Sequence, residues 1–353
     1  MSRWQPRQLA EQTGRTFVIT GANSGVGLEA ARDLVGRGGH VVLACRDVAA
    51  GERAKSDILA GARGTAEVRE LDLADLDSVA AFADGLVKQL EADNRSLNAL
   101  VCNAGVMGGP PLFTTQGYER QMGTNHLGHT ALITALWTAL HQAGGRVVLI
   151  SSIAARGGRL NAATTRDDLI APSPYETQKV YSNTKQANLL LAQELHRRVV
   201  AAGSPVSVVA AHPGVSWTNL YPRQLREQGR GWTVPFVKAV HPVVFQSAQA
   251  GALPTLRALD SSTPSGAFVG PKALMQFRGR PEVLDVTRPP ATPRSRRGSW
   301  SSPKRSWGPR CPCRSDQRGR ASSAALSGRR CPSPCQAAIQ APTSRAGSGR
   351  RNR

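Results

Sequence analysis

The sequence predicts a single doubly wound α/β domain: a parallel sheet with helices on both faces, followed by a disordered C-terminal tail. Three observations lead there. Short β-branched or apolar runs recur along the chain, helical patterns separate most of them, and a glycine-rich turn joins the first run to the first helical pattern. Strands are expected at 16–20, 41–45, 66–71, 97–102, 146–151, 206–211 and 267–269. In such a sheet, ligands bind beyond the carboxyl ends of the strands. No internal repeat is visible.

Residues 1–13 read as an N-terminal extension, 14–288 as the domain and 289–353 as the tail. A net charge of +21 would ordinarily suit nucleic acid or an acidic membrane. Its placement argues otherwise. From Pro289 onward, 15 Lys and Arg face one acid, Asp316, so +14 of the charge lies there. The body carries +7 with no basic stripe, which argues against a nucleic-acid partner. The tail is rich in Pro, Ser, Gly and Arg without amphipathic period, so it cannot bury enough apolar surface to offset its ordering entropy. No apolar run reaches the length of about 18 residues that a membrane span needs, and the start lacks a signal-peptide core. A cytoplasmic protein without membrane contact is expected. Cys45 and Cys102 fall in expected strands as small buried apolar groups. Cys311, Cys313, Cys331 and Cys335 lie in the tail, with neither zinc-site spacing nor supporting histidines, so no metal is expected.

The first strand runs straight into Gly21-Ala22-Asn23-Ser24-Gly25-Val26-Gly27, then a helical pattern carrying Leu28, Ala31, Leu34 and Val35. Glycines there let backbone approach a pyrophosphate, and the helix N-terminus supplies N–H donors. The spacing Gly-x-x-x-Gly-x-Gly differs from the Gly-x-Gly-x-x-Gly of other dinucleotide folds. Alone, such a cluster is often a plain loop; between a strand and a helix it reads as a nucleotide site. The second strand ends Ala44-Cys45-Arg46, where an acid would bind the ribose 2′-hydroxyl of NAD. Arg46 instead offers a guanidinium to a 2′-phosphate, so NADP(H) is preferred over NAD(H). An ion pair with the adjacent Asp47 is the competing role.

Tyr181 and Lys185, four residues apart, share one helical face. An ammonium beside the phenol stabilises its phenolate and draws an ordinary pKa of about 10 toward working pH. Ser152 is placed to hold a carbonyl oxygen while Tyr181 gives or takes its proton. Tyr175 and Lys179 repeat the spacing six residues earlier. Pro172 and Pro174 put Tyr175 at a helix start, and only Tyr181 is followed by the apolar face of Ala187, Leu189, Leu190 and Leu191.

In order, the motifs are Thr20 to Gly27, Asp72-Leu73, Asn103-Ala104-Gly105, Asn125, Ser152, Tyr181 with Lys185, and His212-Pro213-Gly214 followed by Thr218. Over roughly residues 14 to 288 the chain thereby resembles the short-chain dehydrogenase/reductase family. Residues 181–189 and 212–220 are most similar to its retinol-dehydrogenase-like and actinobacterial carbonyl-reductase-like branch. The resemblance implies a Rossmann-type sheet and an NADP(H)-dependent oxidoreductase interconverting an alcohol and a ketone or aldehyde. It implies Tyr181 as proton donor and acceptor, Ser152 on the substrate oxygen, Lys185 on the ribose hydroxyls, and Asn125 holding a water behind Lys185. Gly21, Asn23, Ser24, Gly25, Val26 and Gly27 would cradle the cofactor, Asp72 and Leu73 would meet its adenine, and Asn103, Ala104 and Gly105 would pack at its nicotinamide side. Pro213 and Gly214 would close that side, with Thr218 on the amide or a phosphate.

Each of these residues also has a plainer role. Asp72 suits a helix N-cap, and Asn103–Gly105 and Pro213–Gly214 suit ordinary turns. Asn125 disfavours a helix interior and marks a kink or a site. His126 and His129 lack a carboxylate or cysteine to complete a metal set and read as helix packing. The region 221–244, with Trp232, Pro235 and Phe236, suits a lid over an apolar pocket, and the segment 154–174 is longer than in the simplest family members. A small alcohol or carbonyl compound is the expected partner; a homo-oligomer and a monomer fit the sequence equally. Two other functions compete: a nucleotide-binding regulator without turnover, opposed by the intact Ser152, Tyr181 and Lys185, and a nucleic-acid binder acting through the tail.

Composition changes abruptly at Pro289. Joining the third base of each codon to the first two of the next, from Pro289 to Gly308, permits Ala-Arg-Asp-Pro-Ala-Val-Ala-Ala-Arg-Leu-Val-Glu-Leu-Thr-Glu-Glu-Val-Val-Gly. That string sets apolar residues at helical spacing with acids between, as a docking helix does. The segment after Arg288 is therefore expected to be a shifted reading frame without function, standing where a terminal helix belongs.

Overall fold

β1 (Thr16–Thr20) is buried along its whole length and pairs in parallel with β2 (His40–Cys45) on one side and β4 (Leu97–Cys102) on the other. The computed structural model, which describes residues 4–170, 172–214, 246–273 and 276–284, extends this core into a sheet of eight strands among the described residues. Their order is β3-β2-β1-β4-β5-β6-β7-β8, with β3 at Thr65–Glu70, β5 at Arg146–Ile150, β6 at Ser207–Ala211, β7 at Phe268–Ala273 and β8 at Arg278–Leu284. The chain walks outward from β1 through β2 to β3, then returns to lay β4 on the opposite side of β1. That reversal opens a crevice beyond the carboxyl ends of β1 and β4.

Both faces are covered. Helices α1 (Gly25–Gly36) and α2 (Val48–Leu59) bury one face, with α3 (Leu76–Ala92) and α4 (Gly128–Ala135) on the other. Further along the chain, α5 (Thr177–Ala201) joins α3 and α4, and α6 (Ala248–Leu259) joins α1 and α2. Alternation along each strand feeds the two cores: Phe17 and Ile19 enter one and Val18 the other, as do Val41 and Leu43 against Val42 and Ala44. Leu43, Leu100 and Leu149 are fully buried, and trimming one such side chain to alanine costs about 2–5 kcal/mol. Cys45 and Cys102 are buried in these layers; burial pushes the Cys45 thiol up to about 11 and raises that of Cys102 further. Trp4 Nε1 donates to Asp260 at 2.9 Å, fastening the N-terminal extension to the end of α6.

Two strands differ from expectation. β7 continues to Ala273, and β8, which pairs with it antiparallel, was not foreseen. Its Gly279 and Pro281 interrupt an apolar signal, yet an outermost strand tolerates proline because one ladder edge is unpaired. No helix of the described residues is long and apolar enough to cross a membrane. The expectations for Thr218, for the lid at 221–244 and for the tail with its four cysteines lie outside the described residues.

Candidate active site

The crevice floor is a backbone surface. Gly21 and Gly25 adopt φ of 65° and 61°, a left-handed conformation that glycine enters without steric cost. A Cβ on Gly27 would lie 2.5 Å from Asn103 Nδ2 and 2.8 Å from the Gly21 carbonyl oxygen, and one on Gly21 would lie 3.0 Å from Ala104 Cα. Ser24 is the extended N-cap of α1, its hydroxyl makes no capping bond, and the first turn carries no acid. A turn emptied of side chains below a helix N-terminus fits the diphosphate of a dinucleotide. Asn23 and Ser24 are half-buried at its rim, and Val26 is buried beneath.

Thr20 links this turn to the end of β4. Its Oγ1 accepts from Asn103 N and Ala104 N, both at 2.9 Å, while Asn103 Nδ2 donates to Thr20 O at 2.8 Å. At the end of β2, Asp47 is occupied as the N-cap of α2, accepting from Ala50 N at 2.8 Å. Arg46, with a side chain 60 % exposed, reaches Asp72 Oδ2 at only 3.8 Å. Asp72 folds its other oxygen onto Ala74 N at 2.9 Å, and the N-cap of α3 is Asp75 instead. Leu73 is buried, with Gly128 packed against its carbonyl.

Tyr181 and Lys185 sit one turn apart on α5, both buried. Lys185 Nζ lies 5.8 Å from the Tyr181 ring centroid and donates to Ile150 O at 3.2 Å. Burial alone pushes the ammonium pKa down to about 8. Ser152 follows β5 as the cap of a 3-10 turn at Ile153–Gly157, its Oγ accepting from Ala154 N at 3.2 Å, and this turn packs on α5. Beyond it the chain lies along α5, with Arg159 N donating to Asn183 Oδ1 and Leu160 N to Gln186 Oε1 at 2.9 and 2.8 Å.

The second Tyr-x-x-x-Lys pair comes apart. Tyr175 precedes α5, whose N-cap is Glu176. Its phenol donates to Glu119 Oε1 at 3.1 Å and accepts from Gln121 Nε2 at 3.2 Å. Lys179 is exposed and pairs with Glu176. Asn125 lies in a π-turn, Gly123–Leu127, the physical form of the kink its presence signalled. Its side chain brackets Val106, accepting from N at 2.7 Å and donating to O at 2.9 Å, and also donates to Thr184 Oγ1 at 3.1 Å. Gly105 is held nearby: a Cβ there would lie 3.2 Å from Asn125 Oδ1 and 3.5 Å from Lys185 Nζ.

Three side chains of this neighbourhood make bonds that the sequence does not announce. Ser151 Oγ donates to Lys185 O at 2.7 Å, tying α5 to β5. Asn188 Nδ2 donates to Asn125 O and Ile150 O at 3.0 and 3.2 Å, and its Oδ1 accepts from His126 Nδ1 at 3.0 Å. His129, fully buried, lies 2.8 Å from Thr20 Oγ1 and 3.0 Å from Asn125 O. A mid-helix asparagine was the one legible signal, at Asn188 as at Asn125. At the far side His212 is buried against Phe268, and Gly214, at φ 68°, donates to His212 Nδ1 at 3.2 Å beside Pro213.

Similarity to known proteins agrees with this architecture. Residues 15–164 match the short chain dehydrogenase family. Human retinol dehydrogenase 12 is 41 % identical over 216 residues, covering 61 % of this chain and 65 % of the relative, so the chain spans just under two thirds of that protein. The crystal structure of an uncharacterized protein from Mycobacterium Paratuberculosis superposes with a TM-score of 0.63 at 40 % identity, covering 80 % of this chain and 90 % of that one. A short-chain dehydrogenase from Sphingobium yanoikuyae in complex with NADPH shares the fold at 24 % identity and a TM-score of 0.51, covering 69 % and 83 %. A glycine turn after β1, a Tyr-Lys pair on the helix after β5 and these matches place the chain in the short chain dehydrogenase family.

Proposed function

We propose that the protein is an NADP(H)-dependent oxidoreductase interconverting an alcohol and a ketone or aldehyde. One observation carries the reading: a lysine buried by the fold, with its pKa lowered by burial alone, one turn from a buried tyrosine. A buried cation is costly, and titratable groups perturbed by burial cluster at functional sites.

The Gly21–Gly27 turn holds the diphosphate, Asp72 and Leu73 border the adenine, and Asn103 to Gly105 with Pro213 and Gly214 frame the nicotinamide. The bound nicotinamide supplies or accepts the hydride. Tyr181 gives its proton to the substrate oxygen in reduction and takes it back in oxidation. Ser152 donates to that oxygen and orients it. Lys185 favours negative charge on the phenol oxygen and binds a ribose hydroxyl, while Asn125, through Val106 and Thr184, keeps the β4 loop and α5 in register. A panel of ketones and aldehydes, retinal included, tests the reading by NADPH absorbance loss; no turnover with any of them would reject it.

Arg46 sets cofactor choice in this reading. Its pair with Asp72 is long and exposed, and such pairs contribute little, so the guanidinium is available to a 2′-phosphate. Removing a charge-assisted contact worth about 1.5–3 kcal/mol should cut the NADPH-over-NADH preference by about 10- to 100-fold. Comparing kcat/KM for both cofactors in wild type and Arg46→Ala decides it; an unchanged ratio rejects the role.

The segment after Arg288, outside the described residues, is read as a shifted frame. Resequencing the gene around the Arg288 codon is expected to show a missing or extra base. A clean frame through Pro289 in independent isolates rejects this.

A further inference from the structure

His129 belongs to none of the roles above, yet it occupies the junction between the glycine turn and the catalytic helix. Its ring nitrogens face different partners: Nδ1 the carbonyl of Asn125 at 3.0 Å, Nε2 the hydroxyl of Thr20 at 2.8 Å. A carbonyl only accepts, so Nδ1 carries the hydrogen. In the neutral ring Nε2 is then an acceptor, and Thr20 must donate to it. With its hydrogen so directed, Thr20 Oγ1 accepts from Asn103 N and Ala104 N together. A second ring proton would turn the Thr20 hydroxyl toward Val101 O, 3.4 Å away, and crowd a third donor onto its oxygen. Lys185 and His126 both oppose that proton, and burial does so most strongly.

The chain of bonds continues. Asn125 O, held by His129, also accepts from Asn188 Nδ2, which in turn reaches Ile150 O, the acceptor of Lys185 Nζ. Thr20, Asn125, His129, Lys185 and Asn188 are all at most 4 % exposed, so each bond is shielded from water and has one direction.

We propose that His129 is a positioning residue, fixed as the neutral Nδ1–H tautomer, that sets the Asn103–Ala104 loop under the cofactor turn and joins it through Asn125 and Asn188 to Lys185. The function assigned to that loop rests on the oxidoreductase reading; the tautomer and the bonds do not.

Two measurements on the full chain test it. Nitrogen NMR of 15N-histidine protein, assigned by comparison with His129→Gln, should show the Nδ1–H form of His129, unchanged between about pH 5.5 and 9, since an unperturbed histidine titrates near 6.5. An Nε2–H form, or titration in that window, overturns the proposal. Fluorescence titration with NADPH should show binding weakened by about tenfold in His129→Leu, which keeps bulk but breaks both bonds, and by less in His129→Gln, which keeps an acceptor for Thr20. Wild-type affinity in both variants, with only the melting temperature lowered, marks a packing residue and overturns it. Failure of wild type to reduce any carbonyl would reject the oxidoreductase reading alone, because neither measurement needs turnover.

Discussion

Replacing Tyr181 by phenylalanine is expected to lower kcat by about 10²–10⁴-fold while leaving NADPH affinity near wild type. The ring is buried on α5, so phenylalanine keeps the packing and the face toward Lys185 and deletes only the hydroxyl. Tyr175→Phe is the matched control. Its phenol is spent on Glu119 and Gln121, both buried, so its loss leaves a buried carboxylate short of a donor and costs stability of about 1–3 kcal/mol, with little effect on kcat. Steady-state kinetics and thermal melts on the two variants separate these effects. A Tyr175→Phe enzyme that loses turnover while Tyr181→Phe retains it would move the chemistry to the other tyrosine.

Gly27→Ala should weaken cofactor binding by about 5- to 150-fold. The added methyl meets Asn103 Nδ2 at 2.5 Å and the Gly21 carbonyl at 2.8 Å. Asn103 cannot simply swing aside, since its Nδ2 is bonded to Thr20 O and its backbone N to Thr20 Oγ1. Relief must come from the turn itself, at an overpacking cost of about 1–3 kcal/mol, which is about 5- to 150-fold in affinity if it falls on the bound state. Fluorescence titration with NADPH reads this directly. Wild-type affinity would mean that the turn is not the diphosphate cradle.

Much of this arrangement is legible in the sequence, and what is not has identifiable causes. β1, the glycine turn and the Tyr181–Lys185 pair are local patterns, set by neighbours a few residues away. The choice of Tyr181 over Tyr175 rests on the apolar residues after it; of these Ala187 is buried, Leu189 and Leu191 are half-buried and Leu190 faces water, as Lys179 does. By contrast, the Thr20–His129 bond spans 109 positions and the Asn188–Asn125 bond 63. Polar residues joined over such distances look, in sequence, like stray members of a helix face. β8 was hidden differently: Arg278, Gly279, Arg280 and Pro281 carry no strand signal until β7 supplies a partner. The helical pattern around Asn125 was real but continuous in sequence, whereas the chain inserts a π-turn to bring that side chain against Val106.

The two margins of the sheet have a bearing on how the molecule behaves at high concentration. Among the described residues β3 forms one margin and β8 the other, and neither presents a clean apolar ribbon. Glu67 and Arg69 stand on β3; β8 carries Arg278, Arg280, Glu282 and a proline that cannot donate to a ladder. A foreign strand adding to either side would have to strip water from those charges, and on β8 it would meet a missing N–H as well. The sheet is thereby guarded against edge-to-edge polymerisation by its own outermost strands.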